Sequence, residues 1–146
     1  MAFKKQNTGF LVVISFVVFS VVDSLVFLLA NVLFPQNVVL GNLWINKTWA
    51  IIHSVGTLAL VNILAIPFVR VYENYKNKML GVNEWMGVYF VINFVTVWVM
   101  GRLAKQLGFG ISSWVVAAFL AVALDVFQGV AMMLVEKLRK KYPSIS

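Results

Sequence analysis

Five polar side chains stand where a lipid-embedded chain least tolerates them: Asp23, Asn62, Asn93, Asp125 and Gln128 each lie near the middle of a long apolar run. An acid at that depth costs about 3 kcal/mol unless it is protonated, paired or hydrated, so such residues serve as ion or proton sites or as hydrogen-bonding struts. On the first use, Asp23 and Asp125 bind or relay a cation or proton between helices. On the second, both acids are neutral and bond to Asn62, Asn93 and Gln128, fixing helix register. No Lys or Arg falls at the same depth to balance a charge, and a low dielectric disfavours the ionised form, which makes the second use the more economical.

Other chemistry has little footing. The chain has no cysteine, which removes disulfides, thiol catalysis and thiolate metal sites. His53 is the single histidine, about one turn into the second apolar run, and no Cys or carboxylate lies near it in sequence to complete a metal site; it reads as an interfacial or packing residue. Asn46-Lys47-Thr48 matches a glycosylation acceptor but abuts the membrane, and it is set aside. With no Gly-rich phosphate loop, Ser-His-Asp set or zinc motif, neither enzymatic activity nor a cofactor is expected.

The elements that must hold these residues are four spans. A hydrophobic fraction of 62% with only 12% charged residues lies far outside the globular norm of about a quarter charged. Apolar runs at 9–34, 49–69, 85–103 and 109–135 each approach or exceed the roughly 20 residues that cross a hydrocarbon core. Between them only short connections fit, so residues 1–146 form a single membrane domain. The first run is longer than a secretory signal and ends in Phe34-Pro35 without a small-residue cleavage site, so it is read as part of the mature chain.

Basic residues orient the spans. Lys4, Lys5, Arg70, Lys76, Lys78, Lys137, Arg139, Lys140 and Lys141 fall on one side, and Lys47, Arg102 and Lys105 on the other, which predicts both termini in the cytoplasm and an inner-membrane location. Trp44, Trp49 and Trp114 then belong to the outer interface, and Tyr72, Tyr75 and Trp85 to the inner one. The net charge of +7 is thus topological, and no folded basic face is available for nucleic acid. The basic tail 137–141 suits anionic lipid headgroups or simple anchoring.

The two halves look alike. Leu33 to Gly41 followed by Thr48-Trp49-Ala50 is matched by Leu103 to Gly110 followed by Ser113-Trp114-Val115, apart from about five extra residues in the first loop. This predicts an all-α, integral membrane four-helix bundle of two parallel-repeated hairpins. At helical spacing the first aspartate shares a face with Phe16, Ser20, Phe27, Ala30 and Asn31, and the second with Ala118, Ala121, Gly129 and Met132. The latter is a small-residue seam, which predicts that Asp125 faces a closely packed neighbouring helix. Pro67 is expected to bend the far end of the second span.

Asn37-Val38-Val39-Leu40-Gly41, Trp49-Ala50, the stretch Leu60 to Pro67, Val91-Ile92-Asn93-Phe94 and Gly101-Arg102-Leu103 together resemble the phage-holin-like group of small four-span bacterial membrane proteins. The resemblance covers most of the chain and consists of turn, packing and interface residues, so it implies architecture and carries no catalytic residues. Ile66 precedes Pro67 where that group often has a basic residue. The resulting expectation is a holin-like or envelope-associated inner-membrane component acting through self-association or a membrane-protein partner. The alternative is a small ion or proton channel or transporter using Asp23 and Asp125.

Overall fold

A computed structural model describes residues 8–141. The elements in order are α1 (Thr8–Leu33), β1 (Val38–Leu40), α2 (Lys47–Lys76), α3 (Val82–Arg102), α4 (Ala104–Leu107), β2 (Phe109–Ile111) and α5 (Trp114–Lys141). Four of the helices, α1, α2, α3 and α5, are long and apolar enough to cross a membrane. In hydrocarbon a helix satisfies its backbone N–H and C=O groups within one segment, which is why uninterrupted apolar runs of this length take that form. Helix α1 packs on α2 and α5, and α3 packs on the same two, closing a ring of antiparallel neighbours. The protein is therefore an all-α integral membrane bundle of two hairpins. Its interior holds Phe27, Leu58, Val97, Met100 and Leu124, while Leu25, Leu29, Val122 and Val126 point outward to lipid.

The fourth span begins later than the apolar run that contains it. Residues 109–111 form not the start of a helix but β2, paired antiparallel with β1 in the register Val38↔Ile111, Val39↔Gly110 and Leu40↔Phe109. Gly108 is the breakpoint: its φ of 73° lies in the left-handed region, and a Cβ there would come within 2.8 Å of the Ala50 Cβ. The ribbon is tied down on both sides. Gly41 N–H donates to the Gly108 carbonyl at 2.7 Å, Ser112 N–H donates to the Asn37 carbonyl at 3.0 Å, and Asn42 Nδ2 donates to the Ala104 and Lys105 carbonyls. Loop backbone that leaves the helical pattern at the membrane edge is thereby paired, as a dry or half-dry setting requires.

Asn46 caps α2 by accepting from Trp49 N–H at 3.0 Å, which gives that residue a structural role. Helix α2 runs through Pro67 to Lys76, and α3 begins at Val82, so both extend beyond 69 and 85 at the end opposite the ribbon. That turn is held by two glutamates. Glu73 Oε1 accepts from Leu80 N–H at 2.8 Å, and Glu84 Oε2 accepts from Gly81 N–H at 2.7 Å while its other oxygen meets Lys78 Nζ at 3.1 Å. Lys4 and Lys5, which entered the orientation argument, lie outside the described residues.

Candidate functional site

The four long helices each contribute one buried polar residue to a single layer. Asn62 Nδ2 on α2 donates to Asn93 Oδ1 on α3 at 2.9 Å. Asn93 Nδ2 donates to Gln128 Oε1 on α5 at 3.1 Å, and Gln128 Nε2 donates to Asp23 Oδ1 on α1 at 2.7 Å. Asp23, Asn62 and Asn93 are 0% exposed and Gln128 is 3% exposed, so the chain of bonds is sealed from the surroundings. An amide both donates and accepts, which is why three of them can relay hydrogen bonds across a helical interior that offers no water.

Each member is placed by its helix face. Along α1 the buried positions are Ser15, Phe19, Asp23, Val26 and Phe27; along α3 they are Asn93, Thr96, Val97 and Met100. The two sets correspond at one constant offset, pairing Asp23 with Asn93, Val26 with Thr96, Phe27 with Val97 and half-buried Ala30 with Met100. Helices α2 and α5 correspond likewise, Ser54 with Leu120, Val55 with Ala121, Leu58 with Leu124 and Asn62 with Gln128. The polar layer is thus made of equivalent positions from two repeats. Antiparallel pairing of the equivalent strands β1 and β2 is the arrangement that a two-fold axis along the bundle produces.

Asp125 stands outside this layer, contrary to the sequence expectation. It is half-buried, and it has no hydrogen-bond or ion-pair partner among the described residues. The inward face of α5 carries Ala117, Leu120, Ala121, Leu124 and Gln128. Ala118, Asp125 and Gly129 each follow one of these by a single residue, a turn of about 100° around the helix. Of the predicted seam only Ala121 is fully buried; Ala118 and Gly129 are half-buried, and a Cβ at Gly129 would meet no atom within 4 Å. Gly129 therefore does not serve close packing among the described residues.

The space on either side of the layer differs in filling. Toward the ribbon, Phe27 and Phe109 stack at 4.6 Å between ring centres, with Val38, Val97 and Met100 around them, all fully buried. Toward the α2–α3 turn, Phe19 meets Tyr89 edge-on at 5.9 Å, and Tyr89 stacks on Trp85 at 5.7 Å. Two apolar grooves open on the flanks. One of about 750 Å³ lies between α1 and α5 near the ribbon, lined by Leu29, Phe34 and Phe119; the other, about 690 Å³, lies between α2 and α3 and is lined by Phe68, Tyr72 and Ile92.

His53 is exposed on α2 with its ring 5.7 Å from that of Trp49, and Arg102 lies over the Trp98 ring at 5.3 Å. Among the described residues no group of three or more His, Cys, Asp or Glu is arranged to hold a metal ion. Sequence reasoning passed over the buried hydroxyls Ser15 and Ser54, both 1% exposed or less and both without a hydrogen-bond partner. The signal that would have found them was their spacing, since each sits two turns from a member of the polar layer. Set against known protein families, curated proteins and solved structures, the chain matches none of them.

Proposed function

We propose that this protein is a small multi-pass component of the cell's inner membrane, holin-like or envelope-associated, that acts by associating with copies of itself. The observation that carries the reading is Asp125, an acid in the middle third of a spanning helix, half-buried and without a partner among the described residues. A mid-membrane carboxyl in that setting gains by meeting a hydrogen-bonding group on another helix. Beside it Ala118 and Gly129 leave room for a neighbouring backbone, the kind of surface on which spanning helices pack closely. Both termini belong in the cytoplasm on the distribution of basic residues.

The chain has no cysteine of its own, so single cysteines report cleanly. Oxidative cross-linking in native membranes is expected to give dimers and higher forms from Gly129→Cys and little product from Phe68→Cys on the far side of the bundle. Absence of cross-linking at both Gly129→Cys and Val122→Cys would sink the self-association reading. Growth arrest with dye uptake on induction distinguishes a holin-like pore from a scaffold. The channel or transporter reading predicts pH-dependent ion flux in liposomes. Within one chain that route meets the packed Phe27–Phe109 pair between the polar layer and the ribbon, so it depends on an assembly of several copies.

A further inference from the structure

The hydrogen-bond chain through the bundle has two loose ends, and they belong to one missing bond. Asp23 Oδ2 and Asn62 Oδ1 are buried without a partner. They lie on α1 and α2, the one pair of ring neighbours that the chain of bonds does not join. Both atoms are acceptors as drawn, so bringing them together requires a hydrogen between them.

The repeat says where that hydrogen belongs. Asn62 donating to Asn93 is equivalent, under the two-fold correspondence, to Gln128 donating to Asp23, and both bonds are present. Asn93 donating to Gln128 has as its equivalent Asp23 donating to Asn62, and this is the absent one. A ring of four members in which each donates once and accepts once can be closed by four amides. With Asn62 Nδ2 given to Asn93 and Asn62 Oδ1 left without a partner, an ionised Asp23 leaves the fourth link with two acceptors and no hydrogen, whereas a protonated Asp23 supplies one.

We propose that Asp23 is a proton-binding site: it holds one proton on Oδ2 and donates it to Asn62 Oδ1, closing a two-fold ring of hydrogen bonds at the bundle's centre. The groups facing it support the neutral form. The layer around it consists of Asn62 from α2, Asn93 from α3 and Gln128 from α5, all uncharged; Asp125, one turn from Gln128, is the single other acid near this depth in the sequence, and no Lys or Arg lies at that depth. Deprotonation removes that donor, so the ring is complete in acid and opens as pH rises. This site is internal to one chain and does not depend on self-association.

The test uses the full chain in lipid nanodiscs and two readouts. Infrared difference spectra of protein carrying ¹³C-labelled aspartate carboxyls, in an Asp125→Asn background, are expected to show the carbonyl band of a protonated carboxyl at neutral pH, and the band is expected to vanish when Asp23→Asn is added. Lack of the band in the Asp125→Asn background overturns the proposal. Thermal melting supplies the second readout. The midpoint of the unsubstituted chain falls as pH is raised, Asp23→Asn flattens that dependence, and the exchange Asp23→Asn with Asn93→Asp restores it from the equivalent position. A pH dependence that survives Asp23→Asn unchanged overturns the proposal as well.

Discussion

The first hairpin, α1 with α2, places Asp23 where the second, α3 with α5, places Asn93, and it places Ala59 where the second places Asp125. One scaffold thus carries two acids in opposite settings. Asp23 is wholly enclosed and bonded to Gln128, whereas Asp125 is half-exposed with no partner among the described residues. The difference teaches that depth in the membrane does not decide what an intramembrane acid does. Rotation about the helix axis decides it, and a single residue of offset, about 100°, separates a strut from a surface group.

The halves also close the ribbon differently. The second fills with Phe109 the buried position that Val38 fills in the first, 0% and 1% exposed. Phe109→Ala empties the larger space and breaks the stack on Phe27. It is expected to lower stability by about 3–5 kcal/mol, clearly more than Val38→Ala, in detergent melts of the two variants. Comparable losses would show that the ribbon is held equally by both strands.

Next in size come the contacts between each repeat's first helix and its own strand. In the first half Asn31 Nδ2 donates to the Val38 carbonyl at 2.9 Å; in the second, Gly101 lies under Ile111, where an added Cβ would come within 2.5 Å of the Ile111 Cγ1. Gly101→Val is expected to cost about 1–3 kcal/mol by overpacking. Recovery of the lost melting temperature by Ile111→Ala in the same chain would assign the effect to this contact, and failure to recover would move it elsewhere.

A smaller effect tests whether the layer is shared evenly. Asn62→Leu and Gln128→Leu remove equivalent members, and each is expected to cost about 0.6–2 kcal/mol, with the two values close together. A large disparity would break the two-fold equivalence. Smallest of all is Gly129→Ala, expected to fall within about 0.5 kcal/mol of the parent because open space surrounds the site. A marked loss in the assembled form with none in the isolated chain would place Gly129 in a contact between copies.

Four spans were legible in the sequence because apolar runs of this length have one physical use. All four polar residues of the layer were legible too, since counting to the middle of a span fixes depth, but the same count added Asp125. What counting cannot fix is rotation. Around α5 nearly every position is apolar, lipid-facing or not, so Ala118, Asp125 and Gly129 form as convincing a stripe on paper as Ala117, Leu124 and Gln128. The ribbon was hidden for a related reason: Phe109-Gly110-Ile111 continues the apolar character of the run after it, and only the left-handed Gly108 and a partner strand far away in sequence make it a strand. The offset between the halves held the missing information, because the repeat aligns Asp23 with Asn93 and Asn62 with Gln128, leaving Asp125 opposite an alanine.

The pairing of β1 with β2 has a consequence for how the chain is made. Residues 38–40 emerge from the ribosome well before residues 109–111, and at about 5–20 residues per second the first strand waits on the order of ten seconds for its partner. Throughout that interval a finished first hairpin carries an unpaired strand edge at the membrane surface, a template for any other extended segment within reach. Val39 is exposed on that edge, and Gly41 and Asn42 have their partners at Gly108, Ala104 and Lys105 still to come. The arrival of the second hairpin covers that edge and ends the interval.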